Sequence, residues 1–254
     1  MRAVLFDYGH TLVDFRRTQE ALHDAYEQVR ARIEAAAYLE VPEILDLIER
    51  VAGGVDRMVT ESYRQRRMEE LDLVELFTQT LAGVGFDLPA DVVAHIVEAD
   101  HSAYSNSIAV DPEVLDVLSR LHADGYRMGI VSNVALLPRL MREDLERLGI
   151  AGQIDAAVFS SETKVRKPDP RIFQEALSRL GSEPGETVFV GDRLYDDVGG
   201  AQAVGMRAVQ TTQFREEEAD AEAAPDAVIG HLGELPAVLS SWGGPPGDRP
   251  PGAG

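Results

Sequence analysis

The feature that most constrains this chain is the alternation of short apolar runs with helical segments from Asp111 to Ile229. Strands that alternate with helices of roughly 10–15 residues are typical of a parallel sheet with helices on both faces. The sequence therefore predicts an α/β fold. The predicted strands are 3–6, 126–131, 156–159, 187–190, 207–210 and 227–229.

A long helical stretch separates the first strand from the others. In residues 15–107, apolar side chains recur at three- and four-residue spacings, and no strand pattern appears. The pair Gly53-Gly54 is predicted to break a helix there. We expect a separate helical domain inserted into the α/β core. The predicted division is a core of 1–14 and 108–240, a helical domain of 15–107, and a Gly/Pro-rich tail of 241–254 that should be disordered.

Composition excludes several classes of function. The net charge is −20, so a nucleic-acid partner is not expected, because such a surface repels phosphate backbones. No apolar stretch is long enough to span a bilayer, so no membrane association is expected. The chain has no cysteine, which excludes disulfides and cysteine-based metal sites and fits a cytoplasmic protein.

Polar residues follow four of the predicted strands. Asp7 ends the first strand, Ser132-Asn133 ends the second, and Asp192 ends the fourth. The loop after the third strand carries the two lysines of the chain, Lys164 and Lys167. Each feature alone is explained by a turn or a helix start. Since parallel strands bring their carboxyl ends to one edge, we expect these groups to converge.

Four motifs in this order resemble the haloacid dehalogenase-like hydrolase superfamily, over about residues 1–230. The resemblance implies a Rossmann-like core, an inserted helical cap that selects the substrate, and magnesium-dependent phosphatase activity on a small phosphorylated metabolite. The motifs are Asp7-Tyr-Gly-His-Thr11, Ile130-Val-Ser-Asn133, Lys167-Pro-Asp169 and Gly191-Asp-Arg-Leu-Tyr-Asp-Asp197.

The resemblance also implies a role for each matched position. Asp7 would be the nucleophile, and Mg²⁺ would be held by the carboxylates of Asp7 and Asp192 and the backbone carbonyl of Gly9. Asp197 would hold Lys167 or a metal-bound water, with Asp196 as the weaker candidate. The residues expected to contact the phosphoryl group are Thr11, Ser132, Asn133 and Lys167.

The first motif departs from the family at one position. Gly9 stands where phosphatases of the family have a second Asp, which protonates the leaving group and then activates water. The missing acid/base removes a contribution of about 10² to 10⁴ in rate. His10 is a candidate replacement because its ordinary pKa suits proton transfer; the alternative is a loop histidine without a catalytic role.

Two other functions stay open. A 2-haloacid dehalogenase would also use Asp7 and lack the second Asp, but its aromatic residue would stand at the position of Gly9, whereas Tyr8 lies one place earlier. A weakly active or non-catalytic protein would use the pocket to bind a phosphorylated ligand or the cap to bind a partner, and Gly9 supports this alternative.

Overall fold

The computed structural model describes residues 1–15, 17–37, 40–215 and 223–243. The chain divides into two compact units. One consists of Met1–Asp14, Ala109–Val134 and Arg142–Gly254 and contains the described strands. The other consists of Phe15–Ile108 and Ala135–Met141 and is helical.

Six parallel strands form one sheet, in the order β3-β2-β1-β4-β5-β6. The central strands β1 and β4 are buried at every position, as expected for apolar runs covered on both faces. The predicted α/β fold with a Rossmann-like parallel sheet is confirmed. The strands are β1 Ala3–Phe6, β2 Arg127–Ser132, β3 Ala156–Phe159, β4 Thr187–Gly191, β5 Arg207–Thr211 and β6 Ala227–Ile229.

Five helices make up most of the helical unit. They are α1 Gln19–Ala36, α2 Ile44–Leu47, α3 Gly53–Arg64, α4 Leu73–Gly83 and α5 Ala90–Ser105. The Thr18 hydroxyl begins α1 by accepting a hydrogen bond from the N–H of Ala21 (3.1 Å). One apolar stripe of α1 packs against α5, and its buried residues are Leu22, Ala25, Tyr26, Val29 and Ile33.

The prediction that Gly53-Gly54 breaks a helix is wrong. A π-helical turn, Ile48–Ala52, follows α2, and α3 begins directly at Gly53. A Cβ atom on Gly54 would lie 2.8 Å from Cγ2 of Thr80 in α4. Gly54 therefore permits close packing of α3 on α4 rather than ending a helix.

Among the described residues, six further α-helices follow the helical insertion, and the strand order of the sheet reverses between β1 and β4. The remaining helices are α6 Pro112–Ala123, α7 Pro138–Arg147, α8 Ser160–Thr163, α9 Pro170–Leu180, α10 Gly200–Ala203 and α11 Leu235–Ser241. Of these, α7 belongs to the helical unit up to Met141 and to the α/β unit from Arg142. The sheet grows from β1 to β3 in one direction and from β4 to β6 in the other. Open α/β sheets place ligands at such a switch, outside the carboxyl ends of the strands.

The C-terminal boundary lies later than predicted. The expected tail begins at residue 241, but α11 ends at Ser241, and the guanidinium of Arg207 lies 4.8 Å from the centroid of the Trp242 ring. Residues 244–254 of the predicted disordered tail lie outside the described residues. Within the described part of the chain, no helix has both the length and the hydropathy that a bilayer crossing requires.

Candidate active site

Asp7 leaves the sheet at the switch between β1 and β4. The backbone N–H of Asp7 donates to the carbonyl of Val190 (2.8 Å), which extends the β1–β4 pairing by one residue. Phe6 pairs with Ile130 of β2 and with Val190 of β4, so residues after all three strands reach one edge. The Asp7 side chain is almost wholly buried at this edge.

The ammonium of Lys167 links two of the predicted carboxylates. Its Nζ lies 2.6 Å from Oδ1 of Asp7 and 2.6 Å from Oδ1 of Asp197, and the lysine is buried. Burial lowers the pKa of Lys167, but attraction to Asp197 and Asp7 outweighs that effect and raises the pKa above its ordinary value. Lys167 is therefore a permanent cation in this site.

The Asn133 amide fixes the backbone of Lys167. Its Oδ1 accepts a hydrogen bond from the N–H of Lys167 (2.7 Å), and its Nδ2 donates to the carbonyl of Lys167 (3.1 Å). Lys167 lies between α8 and α9 and is joined to Pro168 by a cis peptide bond. The phosphate contact of Asn133 stays a prediction, and the structure shows its amide holding the backbone of the lysine.

Asp197 lies in a π-helical turn, Leu194–Gly199, that follows β4. Its Oδ2 accepts a hydrogen bond from the N–H of Arg193 (2.9 Å), while Oδ1 faces Lys167. A Cβ atom on Gly191 would collide with Asp197 Oδ2, so glycine is required for this close approach. Asp196 pairs with the Arg193 guanidinium (3.3 Å).

Asp192 completes the group of carboxylates at the sheet edge. It follows β4 directly and is 2% exposed, and the guanidinium of Arg215 forms an ion pair with its Oδ2. The side chain of Gln210 on β5 donates to the carbonyl of Asp192 (3.5 Å). The position of Asp192 is therefore set both by the end of β4 and by contacts from β5 and the segment after it.

Three buried carboxylates converge at this point with a deficit of positive charge. One oxygen of each of Asp7, Asp192 and Asp197 lies within 4.8 Å of the others. Burial raises the pKa of Asp7 and Asp192, and repulsion from Asp197 contributes to both increases. Clustered oxygen donors that repel each other fit a hard divalent cation such as Mg²⁺, which would relieve that repulsion.

The loop after Asp7 turns back on itself. The N–H of Leu12 donates to the carbonyl of Tyr8 (2.9 Å), and the N–H of His10 donates to the carbonyl of Val13 (2.7 Å). His10 adopts a left-handed conformation with φ of 58°. This turn brings the residues of the first motif into one compact segment, Gly9 included.

His10 is a neutral imidazole near neutral pH. Burial lowers its pKa, the nearby Arg215 lowers the pKa further, and Asp14, with Oδ1 3.7 Å from Nδ1, offsets only part of this. The neutral imidazole is present to accept a proton, although its lowered pKa makes it a weaker base than free imidazole, and it holds few protons to donate. The structure thus favours a base over an acid if His10 takes part.

The other two predicted phosphate contacts are buried near the same edge. Ser132 is the last residue of β2 and is 4% exposed. Thr11 is fully buried, and its Oγ1 has no hydrogen-bond partner within the described residues. A buried hydroxyl without a partner carries a desolvation cost, which a bound oxyanion would offset.

Sequence reasoning missed Arg215. It belongs to no motif, and the run Phe214-Arg215-Glu216 resembles an ordinary polar connection. Arg215 can be recognised as part of the site only from the pairing of β5 with β4, which brings it to Asp192. A basic residue shortly after the carboxyl end of a predicted strand was the one available signal.

Comparisons with known proteins agree with this geometry. A family model for haloacid dehalogenase-like hydrolases matches residues 1–205. The chain is 34% identical over 211 residues to the glyceraldehyde 3-phosphate phosphatase of Methanopyrus kandleri, with 83% of each chain covered. This similarity to a named phosphatase extends over both the core and the helical insertion.

Two solved structures are similar over nearly their whole length. One is a HAD phosphatase from Thermococcus onnurineus, with 26% identity, a TM-score of 0.62, and coverage of 96% of this chain and 99% of the other. The second is a 2-haloacid dehalogenase from Pseudomonas syringae pv. Tomato DC3000, with 27% identity, a TM-score of 0.65, and coverage of 95% and 99%. The resemblance inferred from the four motifs is confirmed: the chain belongs to the haloacid dehalogenase-like hydrolase family.

Proposed function

We propose that this chain is a Mg²⁺-dependent phosphatase that hydrolyses a small phosphate monoester through an aspartyl-phosphate on Asp7. The observation that carries the proposal is the contact of the Lys167 ammonium with Asp7 and Asp197, beside a third carboxylate, Asp192. This group offers a nucleophile, a fixed cation and oxygen ligands for a metal in one buried place. The phosphatase relative supports the same reaction.

The reaction would consist of two displacements at phosphorus. A carboxylate oxygen of Asp7 attacks phosphorus, and the bond to the ester oxygen breaks with its electron pair on that oxygen, which leaves as the alcohol after protonation. Water then attacks the phosphorus of the aspartyl-phosphate, releasing inorganic phosphate and restoring the carboxylate. Lys167 would offset the charge on the attacked phosphoryl group throughout.

A metal would be held by the oxygens of Asp7 and Asp192, with the backbone carbonyl of Gly9 as the third predicted ligand. When bound, it would supply positive charge that neutralises the phosphoryl oxygens and the carboxylates. Ser132 and Thr11 would donate hydrogen bonds to the phosphoryl oxygens. Asn133 would act by holding Lys167, in keeping with its two hydrogen bonds to that residue.

Because position 9 is a glycine and carries no carboxylate, we expect slow hydrolysis and a preference for substrates with good leaving groups. Without a group that protonates the leaving oxygen, esters of acidic alcohols should react faster than esters of ordinary alcohols. His10, neutral because of its lowered pKa, would accept the proton of the attacking water in the second displacement. The cytoplasmic location expected from the cysteine-free composition and the substrate-selecting role of the cap stay predictions.

Phosphate release from a panel of phosphate monoesters tests the proposal. We expect release by the wild-type protein in Mg²⁺, loss of release in a chelator, and recovery when Mg²⁺ is added back. Release by Asp7→Asn should be at least about 10⁴-fold slower. A wild-type rate no faster than that of Asp7→Asn would rule out the proposed function.

A second candidate is a 2-haloacid dehalogenase, which the similarity to the Pseudomonas syringae enzyme and Gly9 favour. Asp7 would displace halide from carbon, and water would then hydrolyse the resulting ester. That reaction requires no metal, whereas the cluster of Asp7, Asp192 and Asp197 is expected to need one. Halide release from a 2-haloacid in the presence of chelator would favour this candidate over the phosphatase.

A further inference from the structure

Arg215 lies beside the proposed metal site but belongs to none of the four motifs. The segment that carries it is anchored just before it, since Gln213 Oε1 accepts a hydrogen bond from the N–H of Leu232 (2.8 Å) and the N–H of Thr212 donates to Ile229 (3.0 Å). The guanidinium is thus delivered to the sheet edge by backbone that is itself tied to β6 and the segment after it.

The contact of Arg215 occupies one of the two carboxylate oxygens of a residue that would also bind the metal. The guanidinium pairs with Oδ2 of Asp192, a residue that we assign as a metal ligand. The Asp192 side chain is 2% exposed, whereas the Arg215 side chain is 31% exposed. Of the two partners, Arg215 is therefore the one with room to move away into solvent or towards a ligand.

The net charge of the site changes from negative to positive when a divalent cation binds. With all three carboxylates ionised and no cation bound, Asp7, Asp192 and Asp197 outnumber Lys167 and Arg215 by one charge. A divalent cation turns this into a surplus of one positive charge, and the cation would also displace Arg215 from Asp192. The residue left with an unneutralised charge would be Arg215, beside the place where a phosphoryl group must enter.

We propose that Arg215 alternates between two partners, pairing with Asp192 in the metal-free protein and with the phosphate group of the substrate in the metal-loaded protein. The inference rests on the phosphatase function proposed above. An arginine fork suits this role because its parallel N–H groups bind phosphate oxygens in pairs. Arg215 would thereby make phosphate binding dependent on prior occupancy of the metal site.

Calorimetric titrations of Mg²⁺, and then of inorganic phosphate into the Mg²⁺-loaded protein, test this proposal. In Arg215→Gln the competition for Asp192 is lost, so Mg²⁺ should bind about tenfold more tightly. The same substitution removes a phosphate ligand, so phosphate should bind the loaded protein about tenfold more weakly. Arg215→Lys keeps the positive charge, so its affinities for Mg²⁺ and for phosphate should lie between those of the wild type and those of Arg215→Gln.

Arg179→Gln is the matched control, because it removes the same charge from the α/β unit at an exposed position whose partners are Glu175, Glu162 and the carbonyl of Ala157. Both of its affinities should equal those of the wild type, and unfolding midpoints should show that all variants fold. If wild type binds both Mg²⁺ and phosphate while Arg215→Gln matches Arg179→Gln, the inference fails and the proposed function stands. If wild type binds neither ligand, the proposed function fails, and the inference fails with it.

Discussion

Each unit of the molecule holds acids beside a cation, but the two clusters differ in burial: all three acids of the α/β unit are buried, whereas in the helical unit the Asp56 side chain is 46% exposed. In the α/β unit, three carboxylates surround Lys167 at the carboxyl ends of strands. In the helical unit, Asp100 of α5 is buried, and Asp56 of α3 lies 2.5 Å from the guanidinium of Arg17. That guanidinium also lies 4.5 Å from the centroid of the Tyr104 ring.

A raised pKa does not distinguish the two clusters. Burial raises the pKa of Asp100 to about 6, although the Tyr26 hydroxyl and Arg17 lower it, and burial also raises the pKa of Asp7. Asp100 lies within a helix whose neighbours offer a cation, an aromatic ring and a hydroxyl. Asp7 lies where strands end and where several acids meet, so placement in the fold identifies the site that carries chemistry.

The largest effect on activity is expected from Lys167→Met, which removes the cation of the cluster in the α/β unit. Removal of the cation leaves Asp7 and Asp197 without their shared partner and removes charge compensation from the phosphoryl group. We expect phosphate release to fall at least about 10⁴-fold. The other lysine is an exposed control, and Lys164→Met should retain the wild-type rate. Equal rates for the two variants would contradict the role given to Lys167.

The second prediction concerns the acid that the α/β cluster lacks. Gly9→Asp should restore proton transfer to the leaving group and raise phosphate release by about 10² or more, most strongly for esters of weakly acidic alcohols. Gly9→Asn, of similar size but unable to transfer the proton, should give no such gain. An unchanged rate in Gly9→Asp would mean that another residue already supplies the proton or that the site is not a phosphatase.

The third prediction concerns the helical cluster and its pH dependence. The pKa of Asp100 is raised to about 6 in the folded state. Its contribution to the free energy of unfolding is therefore fully present below pH 4 and is lost as pH rises through about 6. The loss amounts to about 3 kcal/mol at pH 7. In denaturant titrations from pH 4 to 7, the stability of wild type should therefore decline relative to Asp100→Asn. The exposed Asp87→Asn should run parallel to wild type.

The smallest effect is expected from Asn133→Ala, which removes the two hydrogen bonds to the Lys167 backbone but does not remove the ammonium itself. We expect kcat to fall about tenfold and KM to change little, since the lysine is displaced rather than removed. Steady-state kinetics would check the division between kcat and KM. A large rise in KM with constant kcat would instead support the direct phosphate contact predicted from sequence.

The parts of the molecule that sequence predicts are those set by local patterns. Apolar runs that end in Asp7 and Asp192 predicted both the parallel sheet and the edge at which the carboxylates meet. Gly53-Gly54 misled because a glycine pair signals a helix break locally, while the close packing against Thr80 is a contact between distant segments.

Contacts between residues distant in the sequence also determine which side chains meet in the candidate active site. The Asn133 bonds to Lys167 span 34 positions, and the pairing of Arg215 with Asp192 depends on the register of β5 against β4. Asp196 and Asp197 are adjacent in the chain, and only the turn geometry decides which of the two faces the lysine. No periodicity or motif contains that information.

The central position of β1 has a consequence for how the chain folds. Ala3 pairs with Arg127 on one side and with Thr187 on the other. During synthesis β1 emerges first, yet both of its partners follow much later, whereas α1 to α5 emerge consecutively. Because distant strand pairings form slowly, the helical segment should reach native-like structure before the sheet closes around β1. Until then the strand that carries Asp7 stays an unpaired apolar segment and the part of the nascent chain most exposed to aggregation.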